Sequence, residues 1–244
     1  HYPHSEDMVR EAEKMGLMVW SEIPVYWTIL YENPETYQNA EKQLTTMIQR
    51  DKNRAGVVLW SIANETPLSD ARNSFLGRLA TKARSLDDSR LLTAALDTHS
   101  GSFGERVIDE PMGEVVDVIG INNYCGWYYQ DPEKCVGVTW RNTFDKPMIM
   151  SEFGGGALQG YHGNANERWT EEYQEAVYQY NIEMLKKIDF LAGTSPWILM
   201  DFRSPRRHLK KIQKDFNRKG LISEQGQRKK AFYTLQKYYN SIPK

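Results

Sequence analysis

The sequence predicts an α/β fold built on a parallel sheet, and three observations carry that expectation. Short apolar runs alternate with amphipathic stretches at a spacing of about 30 residues. The runs carry no 3.6-residue period, as expected of strands covered on both faces. Nearly every run then ends in polar, acidic or aromatic residues: Glu22, Asn64 and Glu65, Asp97 and His99, Asn122 and Tyr124, Glu152, Asp201. A doubly wound sheet gathers its ligands at one switch point, whereas a closed barrel collects them from many strand ends in one mouth. The pattern therefore favours an α/β TIM barrel, (β/α)8, with about six of its eight βα units written in this chain. Residues 1–244 read as a single domain, the C-terminal part of such a barrel, with His1 at or just past the end of its second strand.

The elements follow in order. Ser5 is a helix N-cap with Glu6 and Asp7 in the first turn, and Met8, Ala12 and Met15 mark one helical face that Gly16 terminates. Residues 17–20 form a short strand running into Ser21-Glu22-Ile23-Pro24. Asn33 and Pro34 open a helix with Tyr37, Ala40, Leu44, Met47 and Ile48 inward. Residues 57–63, Val-Val-Leu-Trp-Ser-Ile-Ala, are the most strand-like stretch of the chain and deliver Asn64-Glu65. Ser69 caps a helix with Leu76, Leu79, Ala80 and Ala83 inside; strands follow at 91–96, 115–121 and 147–151. Thr170 opens a helix with Tyr173, Val177, Tyr180 and Met184 on one face. Residues 197–200 make the last strand and residues 227–239 the last helix. The basic run from Arg203 to Lys214 reads as a solvated loop.

Bulk properties exclude several function classes. A net charge of −1 on 31 basic and 32 acidic residues gives no electrostatic case for nucleic acid or an anionic membrane. No apolar run approaches the roughly 20 residues that span a bilayer. The opening His1-Tyr2-Pro3-His4 has neither the basic start nor the apolar stretch of a signal peptide, and no initiator Met, so a fragment is expected and cytoplasmic, periplasmic and secreted locations stay open. Cys125 and Cys135 fit no metal or redox spacing and do not fix the compartment. Seven Trp residues supply rings that fill cores and wall sugar sites.

Two carboxylates stand out. Glu65 and Glu152 both end apolar strands and lie 87 residues apart, three βα units. Two carboxyl groups about 5 to 5.5 Å apart suit a retaining glycosidase, one as acid/base and one as nucleophile. The competing reading of each, a salt-bridged strand end, weakens because both terminate strands on the same side of the sheet. Asn64-Glu65-Thr66 also spells a glycosylation acceptor, an unfavourable reading beside a catalytic acid. Gly154-Gly155-Gly156 lacks phosphate-binding spacing, and no His/Cys cluster suggests a metal. No cofactor is expected.

Asn64-Glu65 after an apolar strand, followed by Ser151-Glu152-Phe153-Gly154, resembles the retaining barrel glycosidases, and the motif order from His1-Tyr2-Pro3 onward resembles glycoside hydrolase family 2. Within it the chain is most similar to the β-glucuronidases, through Asn122-Asn123-Tyr124-Cys125-Gly126-Trp127-Tyr128, Trp169-Thr170-Glu171-Glu172-Tyr173-Gln174 and Asn217-Arg218-Lys219-Gly220. The resemblance implies a retaining exo-glycosidase of terminal β-glycosidic bonds, with Glu65 as acid/base, Glu152 as nucleophile and a carbohydrate or glycoconjugate partner. It assigns Asn64 to the sugar 2-hydroxyl, Tyr124 to orienting Glu152, and Asn217 and Lys219 to a sugar carboxylate. Asn122, Tyr128, Trp197 and His1 join as substrate-binding residues, Trp197 as an apolar floor. Gln213 and Lys214 stand where several β-glucuronidases place an Arg, which leaves a β-galactosidase of the same family as an alternative. A non-catalytic carbohydrate-binding barrel remnant is the alternative from another class. Homo-oligomerisation, if present, is expected to run through N-terminal domains.

Overall fold

The computed structural model describes residues 1–243. Helices α1 (Glu6–Lys14), α2 (Pro34–Asp51), α3 (Asp70–Leu86), α4 (Glu171–Leu185) and α5 (Lys230–Ser241) accompany the sheet strands β1 (Val19–Glu22), β2 (Val57–Asn64), β3 (Leu91–Leu96), β4 (Val118–Asn122), β5 (Met148–Glu152) and β6 (Leu191–Thr194). The strand order is the chain order, β1-β2-β3-β4-β5-β6. A doubly wound sheet reverses its order at a switch point; here there is no reversal, which is the succession of a barrel. The described residues form two compact units: 1–100 with 107–122 and 141–149, and 101–106 with 123–140 and 150–243.

In the first unit β1 to β4 pair in parallel, with Glu22 opposite Ser61, Asn64 opposite Ala95 and Leu96 opposite Ile121. The register brings the polar residues at Glu22, Asn64 and Asn122 out along one edge. The Asn33 side chain accepts from the Glu35 and Thr36 amides at the start of α2, whose buried face carries the five expected apolar residues. Ser69 caps α3, which buries Phe75, Leu76, Leu79, Ala80 and Ala83. Each large side chain so buried contributes about 1.5–3 kcal/mol. Arg72 of α3 is fully buried, paired with both oxygens of Glu110, and donates to Thr66 Oγ1 at 2.9 Å. That bond fixes the residue directly after Glu65.

Helix α1 departs from expectation. Val9 is its buried residue, while Met8 and Met15 are 53% and 73% exposed. Glu6 and Glu13 of this helix face Arg54, at 3.1 and 3.7 Å. Leu17 and Met18 are exposed, so β1 begins two residues later than its apolar run. Residues 115–117 follow a 3-10 turn (Pro111–Glu114), which delays β4 to Val118.

In the second unit the Ser195 and Trp197 amides donate to the Met150 and Phe153 carbonyls at 2.8 and 2.9 Å. The sixth strand of the sheet is Leu191–Thr194 and not residues 197–200. The run Trp197-Ile198-Leu199-Met200 has the more strand-like composition, but Leu199 and Met200 are exposed and the backbone hydrogen bonds of Ile198 and Leu199 go to Lys219, Leu221 and Ile222. Helix α4 is capped by Thr170 and buries Tyr173, Val177 and Met184, but Tyr180 lies at the surface, lining a groove with Tyr233 of α5. Helix α5 starts at Lys230, because the residues before it pair elsewhere: Ser223 bonds to Gln227 and Lys229 to Leu221.

Cys125 and Cys135, which the spacing left unassigned, form a disulfide with a Cα–Cα distance of 5.8 Å. A 3-10 segment, Pro132–Gly137, turns the chain so that Cys135 returns to Cys125. Closing a loop of that size stabilises by about 2–4 kcal/mol. Helix α4 holds the same loop: Tyr173 Oη donates to the Gly126 carbonyl at 2.7 Å and Asn181 Nδ2 to that of Cys125 at 2.9 Å.

Candidate active site

The first unit gathers Asn64, Glu65 and Asn122. The Asn122 amide donates to Asn64 Oδ1 and to Glu65 Oε1, both at 3.0 Å. With its N–H groups so engaged, Asn122 orients its two neighbours. Asn64 is buried, which disposes of the glycosylation reading, and its Nδ2 has no hydrogen-bond partner among the described residues. A buried unpartnered donor is costly unless something else accepts from it, and a sugar hydroxyl can. Glu65 itself is exposed and sits at φ +48°.

Trp27, which the sequence reading passed over, donates from Nε1 to Glu65 Oε2 at 3.1 Å. The signal available was its place five residues after the β1 end, on the segment that leaves the same sheet edge. His1 stacks on Tyr26 with ring centroids 5.2 Å apart. Asp97 and His99 are exposed, and His99 faces Asp109 at 3.1 Å.

The second unit gathers Tyr124, Tyr128, Asn217 and Lys219, and pairs Tyr124 with Glu152. The Tyr124 hydroxyl donates to Glu152 Oε2 at 2.5 Å. Lys219 is buried; its Nζ donates to Tyr128 Oη at 2.5 Å and stands 4.5, 4.7 and 5.9 Å from the ring centroids of Tyr128, Tyr124 and Trp127. Burial pushes the Lys219 ammonium below the ordinary lysine range, while the Tyr128 hydroxyl opposes the shift. Asn217 Oδ1 accepts from the Lys219 amide at 3.1 Å, so its NH2 group is the end left to donate outward.

This segment is held from beneath by Asp201, which accepts from the Gly220 amide at 2.8 Å, from Arg218 at 3.2 Å and from Lys229 at 2.9 and 3.0 Å. Gly220 has no alternative here, since a Cβ would stand 2.1 Å from the Asp201 nitrogen. The glycine triplet is likewise a packing device, with Tyr178, Trp127 and Trp169 filling the space its side chains would need.

Lys219, Asn217 and Tyr128 line a cavity of about 230 Å³ together with Arg207, Arg168 and Gln213. Arg207 belongs to the basic run read as a plain loop; the backbone is irregular over 204–214, but Arg203 pairs with Phe216 in a short antiparallel ladder and Arg207 lines the cavity. Trp197 lies apart from the cavity lining, its ring edge-on to Phe202 at 6.2 Å. Among the described residues no group of three or more His, Cys, Asp or Glu is placed to hold a metal ion.

The chain matches the family model described as glycosyl hydrolases family 2, TIM barrel domain, over residues 1–244. It is 30% identical to a β-glucuronidase of Chlorocebus aethiops, covering 99% of this chain and 38% of that protein, and 29% identical to one of Paenibacillus borealis, covering 99% and 42%. It thus spans about two fifths of the length of the curated relatives it matches. Among solved structures it is similar to a β-D-glucuronidase from Dictyoglomus thermophilum, with 25% identity and a TM-score of 0.80 over 100% of this chain and 44% of that one. A β-galacturonidase from Eisenbergiella tayi, bound to galacturonate, shares the fold at 22% identity, with a TM-score of 0.82 over 100% of this chain and 44% of that one. The sequential parallel strands, the Asn64-Glu65 and Glu152 strand ends and the full-length match agree: the chain belongs to family 2 of the glycosyl hydrolases, in its TIM barrel domain.

Proposed function

We propose that this domain carries the catalytic residues of a retaining exo-glycosidase acting on terminal β-D-glucuronides. The observation that carries the sugar assignment is the buried Lys219 cation, with the Asn217 amide beside it and Arg207 on the same cavity. A desolvated ammonium is unfavourable until an anion joins it. A carboxylate on the sugar supplies that anion and accepts from Asn217 as well. The guanidinium expected just before Asn217 is absent at Gln213 and Lys214 but present at Arg207. That favours the uronide over the galactoside.

The chemistry follows from two carboxylates. Glu152 attacks the anomeric carbon while Glu65, in its acid form, delivers its proton to the glycosidic oxygen as the C–O bond breaks. The aglycone leaves as an alcohol and the sugar stays esterified to Glu152. Glu65, now a carboxylate, takes a proton from water, which attacks the anomeric carbon and frees Glu152. Tyr124 supplies Glu152 with a hydrogen bond that orients it, and Asn64 Nδ2 is the donor for the sugar 2-hydroxyl, a contact that strengthens in the transition state.

A panel of p-nitrophenyl β-glucuronide, galacturonide, galactoside and mannoside tests the reading on the full chain. Glucuronide hydrolysis lost in Glu152→Gln supports it; undiminished turnover in that variant overturns the nucleophile. Lys219→Ala should raise KM for the uronide by about a hundredfold, the scale of a lost buried charge pair. Equal activity on charged and neutral sugars sinks the carboxylate assignment, and sugar binding without any turnover identifies a carbohydrate-binding barrel.

A further inference from the structure

We infer that Trp27 is the leaving-group residue of this site: its indole N–H positions Glu65, and its exposed ring takes a planar apolar aglycone. The inference rests on reading Glu65 as the acid/base.

The geometry around Glu65 is one donor per oxygen, Asn122 on Oε1 and Trp27 on Oε2. Neither donor can accept a proton, because an indole N–H is a donor only and an amide NH2 has no free lone pair. The two bonds therefore fix the plane of the carboxyl group without giving its proton a side exit. With substrate bound over Glu65, the acceptor on its open side is the glycosidic oxygen. When the proton transfers there, the C–O electron pair leaves with the aglycone, and the carboxylate left on Glu65 already faces two N–H donors.

The backbone is built to hold this arrangement. Trp27 and Glu65 both sit in the left-handed region, at φ +54° and +48°. Such conformations cost about 1–3 kcal/mol each in non-glycine residues and persist where the surroundings impose them. Here the Trp27 amide donates to the Asn64 carbonyl at 3.1 Å, and Tyr31 Oη donates to the Trp27 carbonyl at 2.7 Å. Tyr26 braces the indole edge-on at 5.4 Å. The anchored ring is nevertheless 51% exposed.

A core-filling role leaves that exposure unaccounted for, and reach supplies the reason. An acid must come within about 3 Å of the oxygen it protonates, and the indole nitrogen is 3.1 Å from that acid. The first atoms of the aglycone thus fall beside the open ring, and planar apolar groups stack there.

The test compares leaving groups within each variant, so that any loss of folded protein cancels. The substrates are methyl, p-nitrophenyl and 2,4-dinitrophenyl glycosides of the sugar the panel selects. Trp27→Phe keeps a ring and removes the donor. It should lower kcat/KM about tenfold on the methyl glycoside and leave the dinitrophenyl glycoside, which departs without a proton, within about twofold. Trp27→Ala should also raise KM for the two aryl glycosides about fivefold over the methyl one. An equal fall on all three substrates, or none, overturns the inference. Glu65→Ala separates the two readings. If it shows the same leaving-group dependence and azide rescues it, the acid/base reading stands whatever Trp27 does; if it shows neither, that reading itself has failed.

Discussion

The surroundings of Glu65 and of Lys219 solve opposite problems. Glu65 is exposed, and two neutral N–H donors from Asn122 and Trp27 fix its direction. Lys219 is a cation taken out of water and faced with ring faces and a tyrosine hydroxyl. On the proposed reading, the group that hands over a proton keeps its contact with solvent, and the group that discriminates is desolvated, because an electrostatic contact gains strength as water leaves. The first region is assembled mainly from strand ends, the second from loops tied down by α4, a disulfide and the buried Asp201 cluster.

The largest expected contrast is catalytic. Glu152→Ala should lose turnover by several orders of magnitude for every leaving group, while Glu65→Ala should lose it mainly for poor ones. Steady-state kinetics across nitrophenyl and alkyl glycosides reads the difference, and identical profiles would erase the distinction between the two carboxylates.

Next is the support of each region. Arg72→Ala strands the buried Glu110, and Asp201→Ala strands Lys229 and Arg218. Each should cost about 3–5 kcal/mol in unfolding free energy. Denaturant titration followed by uronide KM sharpens the comparison: the Asp201 variant should raise KM beyond its stability loss, because Asp201 holds the Gly220 amide beside Lys219. Cys135→Ser should be milder, about 2–4 kcal/mol, and treatment of the native chain with reductant should reproduce it.

The smallest effects probe the Lys219 environment. Tyr128→Phe removes the hydroxyl bonded to the ammonium and should raise uronide KM about fivefold with little change in kcat. The pH dependence has a definite sign. Burial lowers the folded-state pKa of Lys219, so between that value and the ordinary lysine value the unfolded chain binds more protons and stability rises with pH. Uronide affinity moves the other way, falling as pH climbs through the lowered pKa and the ammonium discharges. A competitive uronate inhibitor titrated against pH should weaken on the alkaline side below the usual lysine range; constant affinity there would place the cation elsewhere.

The parts of the fold legible in the sequence are those with a local cause. Asn33-Pro34, Ser69 and Thr170 cap helices because their side chains reach the first amides of their own turn. Residues 57–64 are a strand because an apolar run without helical period must be covered on both faces. Three expectations failed where tertiary contacts outweighed pattern. Helix α1 turned Val9 inward and left Met8 and Met15 exposed, pairing with β5 chose Leu191–Thr194 over a more apolar run, and Tyr180 turned to the surface although its helical spacing put it with Tyr173.

The same division runs through the site. Asn64, Glu65 and Asn122 could be singled out because strand ends in a parallel sheet share one edge, a property of register, and Glu152 because it too ends an apolar strand. Lys219 and Asn217 were proposed only through a motif. What the sequence by itself determined was the succession of elements and the residues at their ends, since caps, turns and apolar periods act within a few positions. The tertiary structure alone decided that Cys125 meets Cys135, that Arg207 joins Lys219, and that Trp27 reaches Glu65. These contacts depend on where loops are held in space, and no local spacing encodes that.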